Sequence, residues 1–247
     1  MNVVKIMGGL GNQLCQYAFS KSIEKYDDVA LDISYYESHF NHSEDIAHRE
    51  YLLPCFVDGL KYAEEDDRPR VNQWEYEIGK PYKDSFFFGD WQKMSFFDGL
   101  DLGIRLKDEL ISEHARKIAE KMAKEESVSI HVRRTDYIDL EWDLDLSYYI
   151  RALNKIYETV PNPVLYIFSD DMDFAMRMLP GMGMTLVHED EVNDLWLMSQ
   201  CKHNIIANST FSFWSAYLNE NEGMVIYPAD WIMPSPVDIA KERWISA

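Results

Sequence analysis

Cysteine is scarce: three in 247 residues, Cys15, Cys55 and Cys201. They stand at no metal-binding spacing, and an odd number argues against a disulfide framework. No apolar run reaches the length of a membrane span, and Met1 to Ile6 leads directly into a strand pattern rather than a signal peptide. Basic residues are few as well, 24 against 43 acidic, for a net charge of −19. A surface that negative repels phosphate backbones and anionic lipid, which disfavours nucleic acid and membrane surfaces as partners. Neither an internal repeat nor a low-complexity segment is present. A hydrophobic content of 47% with 14% aromatics supplies a core and excludes a disordered tail or a fibrous repeat. These features describe a globular chain, expected to be cytoplasmic and without a transmembrane segment.

The organisation is read from periodicity. Val3 to Met7 predicts a buried strand, Gly8-Gly9-Leu10-Gly11-Asn12-Gln13 a turn, and Leu14, Tyr17, Ala18 and Ile23 a helix. Val29 to Ile33 predicts a second strand, so the chain opens as a Rossmann-like unit. Ser34 to Asp108 shows few clear periods and many aromatics, and predicts long connections with short helices. Ile111, Ala115, Ile118 and Met122 mark one face of a helix, and the polar stretch Lys124 to Ser127 suggests a domain boundary. Beyond it strands are expected at Val128–Val132, Val164–Phe168, Thr185–His188, Asn204–Ala207 and Met224–Tyr227. Helices are expected at Ser147–Tyr157, Met172–Met178, Val192–Gln200 and Phe211–Leu218. That alternation implies a parallel sheet covered on both faces. Two such units, 1–125 and 126–247, would place a ligand cleft between them at the carboxyl ends of their strands.

Four stretches carry chemistry. Gly8, Gly9 and Gly11 allow close backbone approach, with Asn12 and Gln13 as amide donors at a helix start. Gln13 stands where a dinucleotide fingerprint needs its last glycine, and a tight turn with capping amides is the structural alternative. His131-Val132-Arg133-Arg134-Thr135-Asp136 sets two arginines at a strand end in a very acidic chain, and an arginine fork can grip two phosphate oxygens. Strand alternation puts His131 and Arg133 on one side and Arg134 on the other, where it could instead pair with Asp136 or another carboxylate. Asp170 and Asp171 end a further strand, suited to a guanine edge, a metal or a helix cap. Asp171-Met172-Asp173 and Asp143-Leu144-Asp145 also match the acid-x-acid pattern of metal-dependent sugar transferases. Asn208-Ser209-Thr210-Phe211-Ser212 leads from a strand into a helix, an anion site or plain capping. All four lie at strand ends and three offer phosphate donors, so a nucleotide diphosphate is the economical ligand.

Gly8 to Leu14 followed by Gln16-Tyr17-Ala18-Phe19 resembles the N-terminal signature of the family 11 glycosyltransferases, the alpha-1,2-fucosyltransferases. His131-Val132-Arg133-Arg134 with Asp136-Tyr137 resembles a motif shared by alpha-1,2-, alpha-1,6- and protein O-fucosyltransferases. Phe168 to Asp171, Asn208 to Ser212, and Gly89, Trp91 and Gln92 extend the likeness over most of the chain. The resemblance implies an α/β, GT-B-like fold of two Rossmann-like domains, the first on the acceptor side and the second holding GDP-fucose. It implies inverting transfer of L-fucose to the 2-hydroxyl of a terminal galactose-type glycan, with no cofactor and no metal. In that reading Arg133 binds the pyrophosphate, His131 positions the nucleotide, Asp170 or Asp171 reads guanine, and Ser209 to Ser212 help hold the phosphates. Gly9, Gly11, Asn12, Gln13 and Arg134 complete the substrate-binding set. The base is sought among Asp136, Asp139, Glu141 and Asp143, with Glu141 favoured by its spacing from the motif in the related alpha-1,6 enzymes. Cys15, Thr135, Asp90 and Phe213 depart from the residues common in the family. Another fucosyl linkage, a dinucleotide oxidoreductase and a non-catalytic sugar-binding protein are the alternatives.

Overall fold

The computed structural model describes residues 1–38, 41–42, 48–178, 183–231 and 238–247. The chain forms two units, Met1–Lys107 and Asp108–Ala247.

In the first unit, β1 (Asn2–Lys5) leads through the glycine turn into α1 (Leu10–Ile23) and β2 (Val29–Asp32). Val3, Val4 and Ile6 are wholly buried, as a parallel strand covered on both faces requires. β3 (Arg70–Asn72) and β4 (Phe86–Phe88) complete a parallel sheet in the order β2-β1-β4-β3. Neither of these last two strands was expected from the sequence. Each is three residues long, and Phe86-Phe87-Phe88 cannot show polar–apolar alternation when both faces are covered. Part of the long connection expected there, at 39–40 and 43–47, lies outside the described residues. The aromatics of this region make a core: Trp91 stacks on Phe19 of α1 at 3.6 Å, and Tyr76 and Phe96 meet Phe19 edge-on at 5.0 and 5.6 Å.

The second unit opens with α2 (Glu113–Met122), started by Ser112, whose hydroxyl accepts from the Ala115 amide. β5 (Ser127–Val132), α3 (Thr135–Asp139), α4 (Leu146–Thr159), β6 (Val164–Ser169), α5 (Met172–Met178), β7 (Thr185–Val187), α6 (Glu191–Gln200), β8 (His203–Ile205), α7 (Thr210–Tyr217), β9 (Val225–Tyr227) and β10 (Ile245–Ser246) follow. The sheet is parallel throughout, in the order β10-β9-β8-β5-β6-β7. The strand order reverses between β5 and β8, the doubly wound arrangement in which ligands bind at the carboxyl ends of the two central strands.

The boundary falls at 107/108 rather than at 125/126. The reason is α2, whose residues pack on α6: Met122 Sδ lies 3.7 Å from Cys201 Sγ, and the Ser112 amide donates to Asn193 Oδ1 at 3.0 Å. Lys124 to Glu126 is therefore the turn from α2 into β5. All three cysteines are free thiols, Cys15 and Cys201 buried. Among the described residues no helix is long and apolar enough to cross a membrane.

Candidate active site

β5 and β8 pair in register, Ile130 opposite Ile205, so His131–Arg134 and Asn208–Ser209 leave the sheet side by side at its point of reversal. His131 is buried, and its Nδ1 has no hydrogen-bond partner. Burial, and then the neighbouring Arg133 charge, push its pKa down to about 3, against the opposing pull of Asp170. The ring is therefore a neutral hydrogen-bonding group, 5.5 Å from the Phe211 ring. The Asn208 side chain is anchored by its Nδ2, which donates to the Trp142 carbonyl at 2.8 Å, while Oδ1 is buried without a partner. Two buried polar atoms without partners thus lie just past the carboxyl ends of β5 and β8.

The two arginines have different partners: Asp136, offered as a partner for Arg134, pairs with Arg133, and Arg134 takes other carboxylates. Arg133 donates through Nη2 to Asp136 at 2.6 Å, pairs through Nη1 with Asp170 at 2.9 Å, and lies over the Tyr137 ring. Arg134 pairs with Asp143 at 2.8 Å and Asp171 at 3.4 Å, and its guanidinium lies 3.7 Å from the Phe174 ring centre. The Arg134 set is a brace: Asp171 Oδ1 also accepts from the Phe174 amide at the start of α5. Asp170 accepts from the Arg134 amide and the Thr135 hydroxyl besides Arg133. Both aspartates offered for guanine or a metal are engaged inside the strand-end network. Nothing in the sequence singled out Phe174 or Asp143 as the Arg134 seat, because 43 acidic residues leave many partners for any one cation.

At α7, Ser209 occupies the cap position, and its side chain makes no capping bond. Ser212 is different. It is fully buried, and its Oγ accepts from the Ala207 amide and contacts the carbonyls of Ala207 and Ser209, tying the strand to the helix. Thr210 and Phe211 flank it on the first turn. Glu141 is exposed, two residues beyond α3, with a backbone φ of 56°.

In the first unit, Gly8 has φ +79°, and a Cβ there would stand 3.0 Å from Asn12 Nδ2, so the turn requires glycine. Gly9 caps α1 and accepts from the amides of Asn12 and Gln13, while Gly11 is buried in the helix's first turn. Gln13, expected to bind substrate, is wholly buried and fully committed: Nε2 donates to the Gly8 and Glu50 carbonyls, and Oε1 accepts from Leu52 and Leu53. Asn12 Oδ1 accepts from Gln92 Nε2 at 3.2 Å. Among the described residues no group of three or more His, Cys, Asp or Glu side chains is gathered to hold a metal.

Two Rossmann-like units in one chain make a GT-B-like fold. The structure of fucosyltransferase NodZ from Bradyrhizobium matches with a TM-score of 0.53 and 13% identity, covering 88% of this chain and 92% of that one. The sequence pattern of glycosyl transferase family 11 matches residues 77–245, and the chain belongs to that family. An alpha-1,2-colitosyltransferase of Escherichia coli is 27% identical over 98% of this chain and 97% of its own. Galactoside 2-alpha-L-fucosyltransferase Sec1 of Mus musculus is 23% identical over 95% of this chain and 68% of its own. The protein is a glycosyltransferase.

Proposed function

We propose that the enzyme transfers L-fucose from GDP-fucose to the 2-hydroxyl of a terminal galactose-type sugar, with inversion and without a metal. The observation that carries this reading is the Arg133 fork at the β5/β8 crevice, beside the unpartnered Asn208 and His131 atoms and the start of α7. Departure of GDP puts negative charge on the β-phosphate. Arg133 and the amides of the α7 first turn would meet that charge, Ser209 adding its hydroxyl. The phosphate would take the place of a carboxylate now paired with Arg133. His131 and Asn208 would bind the nucleotide as neutral partners, with Thr210 and Phe211 shaping the floor. Asp136 already neutralises Arg133, so Glu141 is the proposed base for the acceptor hydroxyl. Sec1 is named for galactoside 2-fucosylation, and NodZ has been co-crystallised with GDP. The colitosyltransferase relative supports one second reading, a colitosyl donor, a sugar that lacks one hydroxyl of fucose.

The test is a thermal-shift panel of GDP, GDP-fucose, GDP-mannose, UDP-sugars and NAD, followed by transfer assays to galactosides in excess EDTA. GDP compounds are expected to stabilise the protein, and fucosyl transfer to persist in EDTA. Preference for GDP-colitose selects the second reading. Stabilisation by NAD or UDP-sugars alone, or rescue of an EDTA-killed reaction by manganese, overturns the proposal.

A further inference from the structure

Tyr137 closes the arginine motif, yet neither phosphate binding nor the Arg134 brace uses it. It stands in α3, where the Ile138 amide donates to the Arg134 carbonyl at 2.8 Å. That turn brings the Tyr137 side chain back beside Arg133, four positions earlier in the sequence. The Arg133 guanidinium lies over the ring, its central carbon 5.3 Å from the ring centre. The tyrosine is half-buried, whereas its neighbour Ile138 is exposed.

The ring is also tied to the other central strand. The Tyr137 hydroxyl donates to the Asn208 carbonyl at 3.5 Å, and the Tyr137 carbonyl accepts from the Trp142 amide at 2.8 Å. The Trp142 ring meets the tyrosine edge-on at 5.9 Å. The Trp142 carbonyl in turn accepts from Asn208 Nδ2 at 2.8 Å. A closed circuit thus runs from Arg133, just past β5, through Tyr137 and Trp142 to Asn208, just past β8.

A guanidinium is planar, with its N–H donors around the edge and none on its faces. Asp136 and Asp170 take the edge through Nη2 and Nη1, at 2.6 and 2.9 Å. A phosphate must take edge donors too, so it displaces a carboxylate and removes one of the contacts that hold the side chain. A ring against the guanidinium face competes with neither ligand. It attracts the cation without using a donor or cancelling the charge, so it persists through the exchange. We propose that Tyr137 is a positioning residue: its ring face keeps the Arg133 fork aimed at the leaving phosphate. The assignment rests on the phosphate role of Arg133 given above and adds the group that holds the fork while its carboxylate is replaced.

The experiment measures GDP affinity by calorimetry, kcat and donor KM for transfer from GDP-fucose, and Tm. The variants are Tyr137→Phe, Tyr137→Leu, Arg133→Ala, and Tyr137→Leu combined with Arg133→Ala. Tyr137→Phe keeps the ring and loses only a long hydroxyl contact, so every value should stay within about threefold of wild type. Tyr137→Leu should weaken GDP binding roughly fivefold and lower kcat about tenfold or more, because a misaimed fork serves the developing charge poorly. In the Arg133→Ala background the same substitution should change GDP affinity by less than about twofold, since the ring then has nothing to orient. A merely structural tyrosine would give equal losses in both backgrounds. Should Tyr137→Leu fail to fold, phenylalanines of rising fluorine content incorporated at position 137 keep the shape and weaken the ring face. GDP affinity is then expected to fall along that series. Equal losses in the two backgrounds, a flat fluorine series, or a Tyr137→Phe enzyme as damaged as Tyr137→Leu overturns the assignment and leaves the Arg133 role intact. GDP that fails to bind, or binds Arg133→Ala as well as wild type, removes the phosphate reading and this one with it.

Discussion

At the scale of single residues, Arg133 and Arg134 are neighbours with different work. Both side chains are about one-fifth exposed, 20% and 19%, so exposure does not separate them; their partners do. Arg133 pairs with two carboxylates, Asp136 and Asp170, and in the proposed reaction a phosphate would replace one of them. Arg134 is stacked on Phe174 and pinned between α5 and the loop before α4. Arg133→Lys is therefore expected to fail nearly as badly as Arg133→Ala in kcat/KM for GDP-fucose. A loss of about a hundredfold or more is expected, since lysine keeps the charge but not the paired geometry. Arg134→Lys should retain more kcat/KM and lose Tm instead, with its ring stacking and fork gone. A folded, fully active Arg133→Lys would remove the bidentate argument. The opposite ranking would mean that Arg134 is the phosphate ligand.

At the scale of elements, what could be read in advance follows burial. β5 alternates polar and apolar residues, β6 is an almost wholly apolar run, and α2 and α4 carry strong apolar faces, so each was legible as a type and nearly as a span. β3, β4 and the two-residue β10 were not: β7, β8 and β9 are as short as β3 and β4 but alternate with helices that mark them, whereas no α-helix stands between β2 and β4 among the described residues. α3 was hidden inside the arginine motif. The strand ends carrying the candidate site were legible from the arginines after β5 and from the amide and hydroxyl residues after β8, whereas the pairing of each arginine with its carboxylates was not, since that depends on how loops fold back. The glycine turn shows the same limit: Gln13 read as a donor to ligand, and the loop at 50–53 that it holds is forty residues away in sequence. Its burial predicts a structural penalty. Gln13→Leu would strand the Leu52 and Leu53 amides and the Glu50 carbonyl, costing about 2–4 kcal/mol. Urea unfolding should report that loss, while GDP affinity in the folded variant stays near wild type. A large fall in GDP affinity without a change in stability would restore Gln13 as a ligand residue.

For the molecule as a whole, one buried and one partly buried group of the second unit tie stability to pH in opposite directions. His131 has a folded pKa of about 3 against an ordinary 6.5. The unfolded chain therefore takes a proton that the fold refuses, and stability is lost as pH falls below about 6.5. Burial, with Glu189 and Asp190 nearby, raises Asp194 to about 7 from 3.8. Its neutral form is favoured by the fold, so the stability it contributes is lost as pH rises from about 4 to 7. The two slopes offset each other across the mildly acidic range. Asp194→Asn should remove one of them: the variant's stability relative to wild type should be greater at pH 7 than at pH 5, by up to about 2 kcal/mol. Urea midpoints at both pH values check this, and parallel pH curves for the two proteins would refute it.

The wholly parallel construction of the first sheet also governs how the chain is made. β1 is central, and its far edge is closed by β4, with Val3 paired to Phe86. No hairpin can close that edge early. At roughly 5–20 residues per second of synthesis, the apolar strand at the amino terminus waits on the order of 4–16 seconds before its partner exists. During that time β1, with Val3, Val4 and Ile6, has no partner on its β4 side, so the nascent chain carries an open apolar edge that the finished fold does not.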